Sequence, residues 1–256
     1  MFGLRRAALR RESFMTALQR WFTGIDLSRI SEWLMFGAAA ILAICVHGSA
    51  HGLAALWLGD DTAKRMHRIT LNPLRHLDPL GFAMMVFAHF GWARPVPVNP
   101  YRMTKIKNRK LGMALTAAAG PISNILLAVL SCFCFCMFFY KGSAAEQQML
   151  AGYAPGSGLR YVLGSFCWVS AVLNTGLAVF NLIPISPLDG SKILAIVLPD
   201  RAHQWLMRYE RYGFFILAAL LFMGILDVPL SFLRSGLLEG ILAVVEPLAR
   251  LLTGNA

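Results

Sequence analysis

Charge is scarce in this chain: 14% of its 256 residues are charged and 57% are hydrophobic. Soluble domains carry about 25% charged residues, so an ordinary soluble fold is excluded. The little charge present is one-sided, with 24 Lys and Arg against 13 Asp and Glu, a formal net charge of +11. That balance does not point to nucleic acid, because neither a basic recognition helix nor an aromatic-basic RNA motif is visible. The basic residues stand in short segments beside apolar runs, where the positive-inside bias and anionic lipid account for them. Cysteine is equally sparse. Five Cys make no secreted disulfide framework, and Cys132, Cys134 and Cys136 alternate within one apolar run, so on a helix they point in different directions and read as small packing residues. Residues 1–29 carry Arg5, Arg6, Arg10, Arg11 and Arg20 without a clean apolar core before a small-residue cleavage site, so no cleavable signal peptide is expected. The stretch FMTALQRWFTGI reads instead as an amphipathic surface helix. No long internal repeat or low-complexity linker divides the chain.

What is present in abundance is apolar sequence long enough to span a bilayer, which takes about 20 residues per helix. The expected fold is an all-α polytopic membrane protein. Spans are predicted at Ser31–Leu58, Leu111–Tyr140, Leu159–Ile183 and Tyr212–Leu233, with a weaker run at Gly236–Leu252 interrupted by Glu239, Glu246 and Pro247. Pro79–Trp92 is only about a dozen residues long and is expected to be re-entrant or interfacial. Pro95, Pro97 and Pro100 in RPVPVNP disfavour helix and predict an extended segment. The chain therefore divides into a basic N-terminal segment (1–30), a membrane core (31–198) and C-terminal membrane helices (199–256).

The stretch VHGSAHG, Val46 to Gly52, places His47 and His51 at i and i+4. On a helix their Cβ atoms lie about 5–6 Å apart on one face, so both can reach one ion. Zinc suits such a pair, and an ionisable residue within a membrane usually marks a functional interior. The competing reading has each ring packed and bonded to a backbone carbonyl. A third ligand must come from a distant segment. Asp189, in NLIPISPLDG, is the best candidate, although Ser-Pro and Asp-Gly are also ordinary turn signals.

HGSAHG, LNPLRHLDPLG, FGWARPVPVNP, GPISN and NLIPISPLDG follow one another in an order that resembles the site-2 protease family of intramembrane zinc metalloproteases, over roughly residues 30–198. The resemblance implies a site-2-protease-like helical bundle, Zn2+ as cofactor, and His47, His51 and Asp189 as its ligands. It also implies hydrolysis of peptide bonds in membrane-embedded substrates, as in regulated intramembrane proteolysis. The implied partners are a transmembrane protein substrate or client and the lipid bilayer.

One residue departs from the family pattern HExxH: the position of its glutamate is Gly48. That glutamate takes a proton from zinc-bound water and later helps protonate the leaving amine. Losing such general acid–base help costs about 10²- to 10⁴-fold in rate. Glu32, Asp60, Asp61, Glu239 and Glu246 all lack the adjacency needed to replace it, although folding could bring Glu239 or Glu246 closer. The expected chain is thus impaired or inactive as a zinc metalloprotease, and Gly48→Glu is expected to gain cleavage. Alternatives are a pseudoprotease that binds transmembrane helices and, more remotely, a metal or proton transporter.

By the same resemblance, Asn124 of GPISN faces the cavity and helps hold water or the substrate carbonyl, with helix packing through small residues as the competing view. Asn181 is a weaker case of the same kind, and the extended WARPVPVNP stretch is a candidate edge for pairing with an unwound substrate. His67, His76, His89 and His203 are expected at the surface or interface. For His47, His51 and Asp189 to share an ion, the C-terminal ends of their two helices must lie on one face, which requires Pro79–Trp92 not to cross. Residues 59–110, with ten Lys and Arg, then lie on the metal side and make it cytoplasmic in a bacterial-type plasma membrane. The N-terminal arginines conflict with this orientation unless residues 1–29 rest on the surface.

Overall fold

A computed structural model describes residues 30–79, 81, 93–150 and 158–254. The predicted N-terminal amphipathic helix, the Pro79–Trp92 re-entrant segment beyond its first residues, and His89 lie outside these. Three apolar runs become three long helices within two residues of expectation: α1 (Ile30–Trp57), then, after a short helix α2 (Thr62–Arg65), α3 (Arg109–Tyr140) and, after α4 (Ala144–Leu150), α5 (Gly158–Asn181). With 28, 32 and 24 residues, they measure about 42, 48 and 36 Å at 1.5 Å per residue, enough to cross the hydrocarbon core. A short helix α6 (Asp189–Leu194), α7 (Asp200–Phe222) and α8 (Asp227–Thr253) complete the chain. Four of these helices, α1, α3, α5 and α8, are long and apolar enough to span, so this is a multi-pass membrane protein.

The C-terminal third corrects the expectation. The predicted span Tyr212–Leu233 is broken at Gly224, whose φ of +68° ends α7 in a conformation that suits a residue without Cβ. A new helix starts at Asp227, with Pro229 in its first turn, where a missing N–H is harmless. The weaker run Gly236–Leu252 belongs to this 27-residue helix, with Pro247 inside it.

Helix α3 is the centre of the bundle, packing against α1, α5, α6 and α8. Its direction follows from the polar links it makes. His47 and His51 of α1 meet Asn124 and Thr116 of α3, while Asn124 and Ser131 of α3 meet Asn174 and Ser170 of α5. Ascending numbers on one helix pair with descending numbers on the next, so α3 is antiparallel to both neighbours and α1 runs parallel to α5. Both of those helices therefore end on one side, as a shared ion requires. At the opposite end, Ala128, Cys132 and Cys136 of α3 join Ala171, Ile241, Val245 and Ala249 in an apolar cluster. Cys132 and Cys136 thus pack against α5 and α8.

The segment between α1 and α3 forms no helix where the prolines disfavour one, over residues 93–99, and Ala93 makes an isolated antiparallel bridge with Leu77. Asn72 and Asn99 each precede a proline, and each side chain accepts from the backbone two residues on, starting a 3₁₀ turn. Asp60, fully buried at the end of α1, accepts from the backbone N–H of Asn99 at 2.6 Å and of Thr62 at 3.0 Å. His76 is tied to the proline-rich stretch in turn, its carbonyl accepting from Arg94 N–H at 2.8 Å.

Candidate metal centre

His47 and His51 lie in the last three turns of α1, with their Nε2 atoms 3.0 Å apart. Asp189 is the first residue of α6, which follows the turn after α5. Its Oδ2 lies 3.2 Å from His47 Nε2 and 3.3 Å from His51 Nε2. The three residues predicted from sequence are thus brought together, and Asp189 Oδ2 is buried without a hydrogen-bond partner of its own.

Hydrogen bonds behind the rings decide what this triangle can bind. The Asn124 amide nitrogen is committed to Asn174 Oδ1 at 2.6 Å and the Ala43 carbonyl at 3.3 Å. Its oxygen therefore accepts from His47 Nδ1–H at 2.5 Å. His51 Nδ1–H donates to the Thr116 carbonyl at 2.7 Å. With both Nδ1 atoms donating, neutral rings present bare lone pairs at Nε2. Two imidazole lone pairs and a carboxylate oxygen then face one another with no proton between them, which is repulsive unless a cation sits there. Ligand atoms about 2.0–2.1 Å from a tetrahedral zinc stand about 3.3 Å apart. The observed spacings match such a site, and two His with one carboxylate suit zinc.

Close approach of α3 completes the geometry. A Cβ on Gly120 would lie 2.5 Å from His51 Nε2 and 2.6 Å from His47 Cε1, so the glycine of GPISN makes room for both rings. Sequence reading treated it only as a packing residue. Asn124 also takes a different role from the one expected: fully buried, it holds His47 rather than lining the cavity. Asn174, its partner on α5, was not singled out. Asn181 does line the cavity, its amide donating to the Leu177 carbonyl at 2.9 Å.

The triangle opens into a cavity of about 690 Å³, bounded by α1, α3, α5, α6, α7 and the proline-rich stretch at Pro95, Val96 and Val98. Gly48 is on its wall. No carboxylate other than Asp189 lines it among the described residues. Glu32 and Glu239 are exposed, Asp60 is spent on Thr62 and Asn99, Asp61 pairs with Arg65 and Arg102, and Glu246 pairs with Arg250 and Tyr140.

His76 overturns its expected place at the surface. It is 1% exposed because the loop from Arg68 folds under the end of α1. Its Nε2–H donates to the Thr70 carbonyl at 2.7 Å. Its ring lies against Gly48: a Cβ there would come within 2.7 Å of His76 Nδ1 and 3.1 Å of Cε1. Burial, with Arg68 nearby, holds this imidazole below the usual histidine range despite the favourable Thr70 bond. His67 is exposed as predicted, and His203 falls on α7.

Comparison with known proteins agrees with this picture. The chain is 37% identical over 180 residues to a Bacillus subtilis protein named "Putative zinc metalloprotease YwhC", an alignment covering 70% of this chain and 76% of that relative. It is 27% identical over 206 residues to "Putative zinc metalloprotease Rip2" of Mycolicibacterium smegmatis, covering 78% and 68%. No solved structure matches the chain. The model of peptidase family M50 matches residues 35–224, from the first spanning helix through α7, and the chain belongs to that family, the family of the site-2 proteases.

Proposed function

We propose that this chain is a membrane-embedded zinc peptidase of the site-2 type whose hydrolytic step is slowed by the absence of a glutamate at position 48. One observation carries the zinc assignment: three lone-pair atoms 3.0–3.3 Å apart, with both histidine Nδ1 atoms already donating elsewhere. His47, His51 and Asp189 hold the ion. When bound, zinc supplies Lewis acidity and lowers the pKa of water toward about 7. The chain's own residues do the rest. Asn124 and the Thr116 carbonyl fix the ring tautomers, the apolar wall of α5 and α7 limits water, and the open backbone of Pro95–Val98 offers an edge to an unwound stretch of a transmembrane protein.

The slowing follows from Gly48, which has no group to accept a proton, and from the absence of any other free carboxylate among the described lining residues. With no carboxylate beside the ion to take the proton, client binding with slow turnover is the outcome this reading favours. The ten Lys and Arg of residues 59–110 favour a cytoplasmic position for the centre.

Metal analysis of the detergent-purified protein is expected to give about one zinc per chain, lost in His47→Ala. Protein that takes up no zinc after chelation and reloading would refute the metal centre. Cleavage as fast as a glutamate-bearing relative under the same conditions would refute the slowing.

A further inference from the structure

We infer that His76 is the proton acceptor of this cavity, standing in at Nδ1 for the carboxylate that position 48 lacks. The inference rests on the zinc-peptidase reading above.

The argument begins with what the cavity contains. Its titratable lining residues, among those described, are His47, His51, His76, Arg94, Asp189 and Lys192. Two imidazoles and the carboxylate are occupied as ligands, and Arg94 and Lys192 are cations with no lone pair to offer. His76 is the remaining neutral base. Its tautomer is set from behind, because donation from Nε2 to the Thr70 carbonyl at 2.7 Å leaves Nδ1 with the lone pair. No donor among the described residues occupies that lone pair.

Its position adjoins the vacancy. Nδ1 lies 2.7 Å from where a Cβ on residue 48 would be, at the root of the path a glutamate side chain would follow from the same helix. A ring there and a side chain on residue 48 compete for one space, so the glycine and the histidine are a matched pair. The ring is also immobilised: the Thr70 carbonyl takes both His76 Nε2–H and Ser49 Oγ–H, the latter at 2.8 Å, and His76's own carbonyl is bonded to Arg94 N–H. Burial keeps the imidazole neutral and able to accept.

In the reaction this assigns, a water oxygen bonds to the peptide carbonyl carbon as its proton passes to His76 Nδ1, giving an imidazolium. That proton then moves to the amide nitrogen as the C–N bond breaks, leaving an amine and a carboxylic acid, whose own proton, the second from the water, passes to the amine or to solvent. One water is consumed and His76 returns to neutral.

The test compares wild type with two variants that disturb the ring from opposite sides. His76→Gln keeps a donor for Thr70 and removes the basic nitrogen. Gly48→Ala puts a methyl into the 2.7 Å gap and displaces the ring from the α1 side. For each, zinc content, thermal melting, affinity for acetohydroxamate and cleavage of fluorescein-labelled casein are measured. Acetohydroxamate gives up a proton when it ligates zinc, so its affinity reports the acceptor independently of turnover. With zinc retained, both variants are expected to bind it about tenfold more weakly or worse, and wild-type casein cleavage, slow as it is, to fall at least as far. Unchanged hydroxamate affinity in a zinc-loaded variant would overturn the role of His76 and leave the zinc reading intact. A wild type that cannot be loaded with zinc would overturn the underlying reading instead. If His76→Gln does not fold, Gly48→Ala decides alone.

Discussion

The junction of α1, α3 and α5 and the attachment of α8 are built by different means. Around the metal triangle the helices are joined by buried polar groups: Asn124, Asn174 and Ser170 are at most 1% exposed. Helix α8 is held mainly by an apolar stripe, Ile241, Val245 and Ala249 against Ala128, Cys132 and Cys136, with one half-exposed polar link from Tyr140 to Glu246 and Arg250. Only 11% of its spanning window is buried, against 39% for α5. Lipid tails are as apolar as leucine, so an apolar stripe specifies a neighbour weakly, whereas a hydrogen bond across two helices fixes rotation and depth together. The precision of the centre is therefore written in asparagine and serine, and α8 can vary without disturbing it.

The contrast breaks most sharply at the three proposed ligands. Asp189→Ala is expected to abolish stoichiometric zinc while leaving the fold, since it frees the two histidines from a carboxylate they cannot tolerate without a cation. Metal analysis after dialysis checks this. Next in size is Asn124→Ala, which removes the group holding His47 and unties α3 from α5. A fall of about 10- to 100-fold in zinc affinity is expected, measured by competition with a chelator.

Much of this region was legible in the sequence. The helical period placed His47 and His51 on one face, and Asp189 stood just past a proline-broken helix end, where a carboxylate can turn back toward them. What could not be read was the set of contacts between residues far apart in the chain. Asn124 was judged by its place in GPISN, yet its role comes from His47, 77 positions away. Gly120 was a small residue among others until the two rings were found against it. His76 falls in a loop between apolar runs, which reads as surface or interface, while its burial follows from contacts with Thr70 and Gly48 that only the fold supplies. In the C-terminal third, Tyr212–Leu233 was read through Gly224 because hydropathy does not register a positive φ.

Gly48→Glu sharpens the comparison at intermediate size. Its Cβ must displace His76 from a tight site, an overpacking cost of about 1–3 kcal/mol. A lowered melting temperature is expected for the single variant, with stability recovered in Gly48→Glu/His76→Ala, where the carboxylate has room and cleavage increases.

A smaller effect concerns acid. Because His76 is held below the ordinary histidine range in the folded chain, the unfolded chain binds more protons as pH falls from that range toward the folded value. Stability therefore drops with acid over this window. His76→Gln is expected to flatten the change in melting temperature between about pH 7 and pH 5. The smallest effect belongs to α8. Glu246→Gln weakens a half-exposed pair with Arg250 and a bond from Tyr140, for about 0–1 kcal/mol. Zinc content is expected to remain unchanged, and a loss of metal here would erase the distinction between the two regions.

The run of links from His47 through Asn124 to Asn174 gives metal loading a meaning in biogenesis. Each of three separately inserted segments contributes one member, so a chain with any of them threaded at the wrong depth or rotation cannot present the coordinating nitrogen correctly. Retention of the ion thereby reports that helix assembly is complete, and a chain assembled at the wrong depth or rotation stays metal-free.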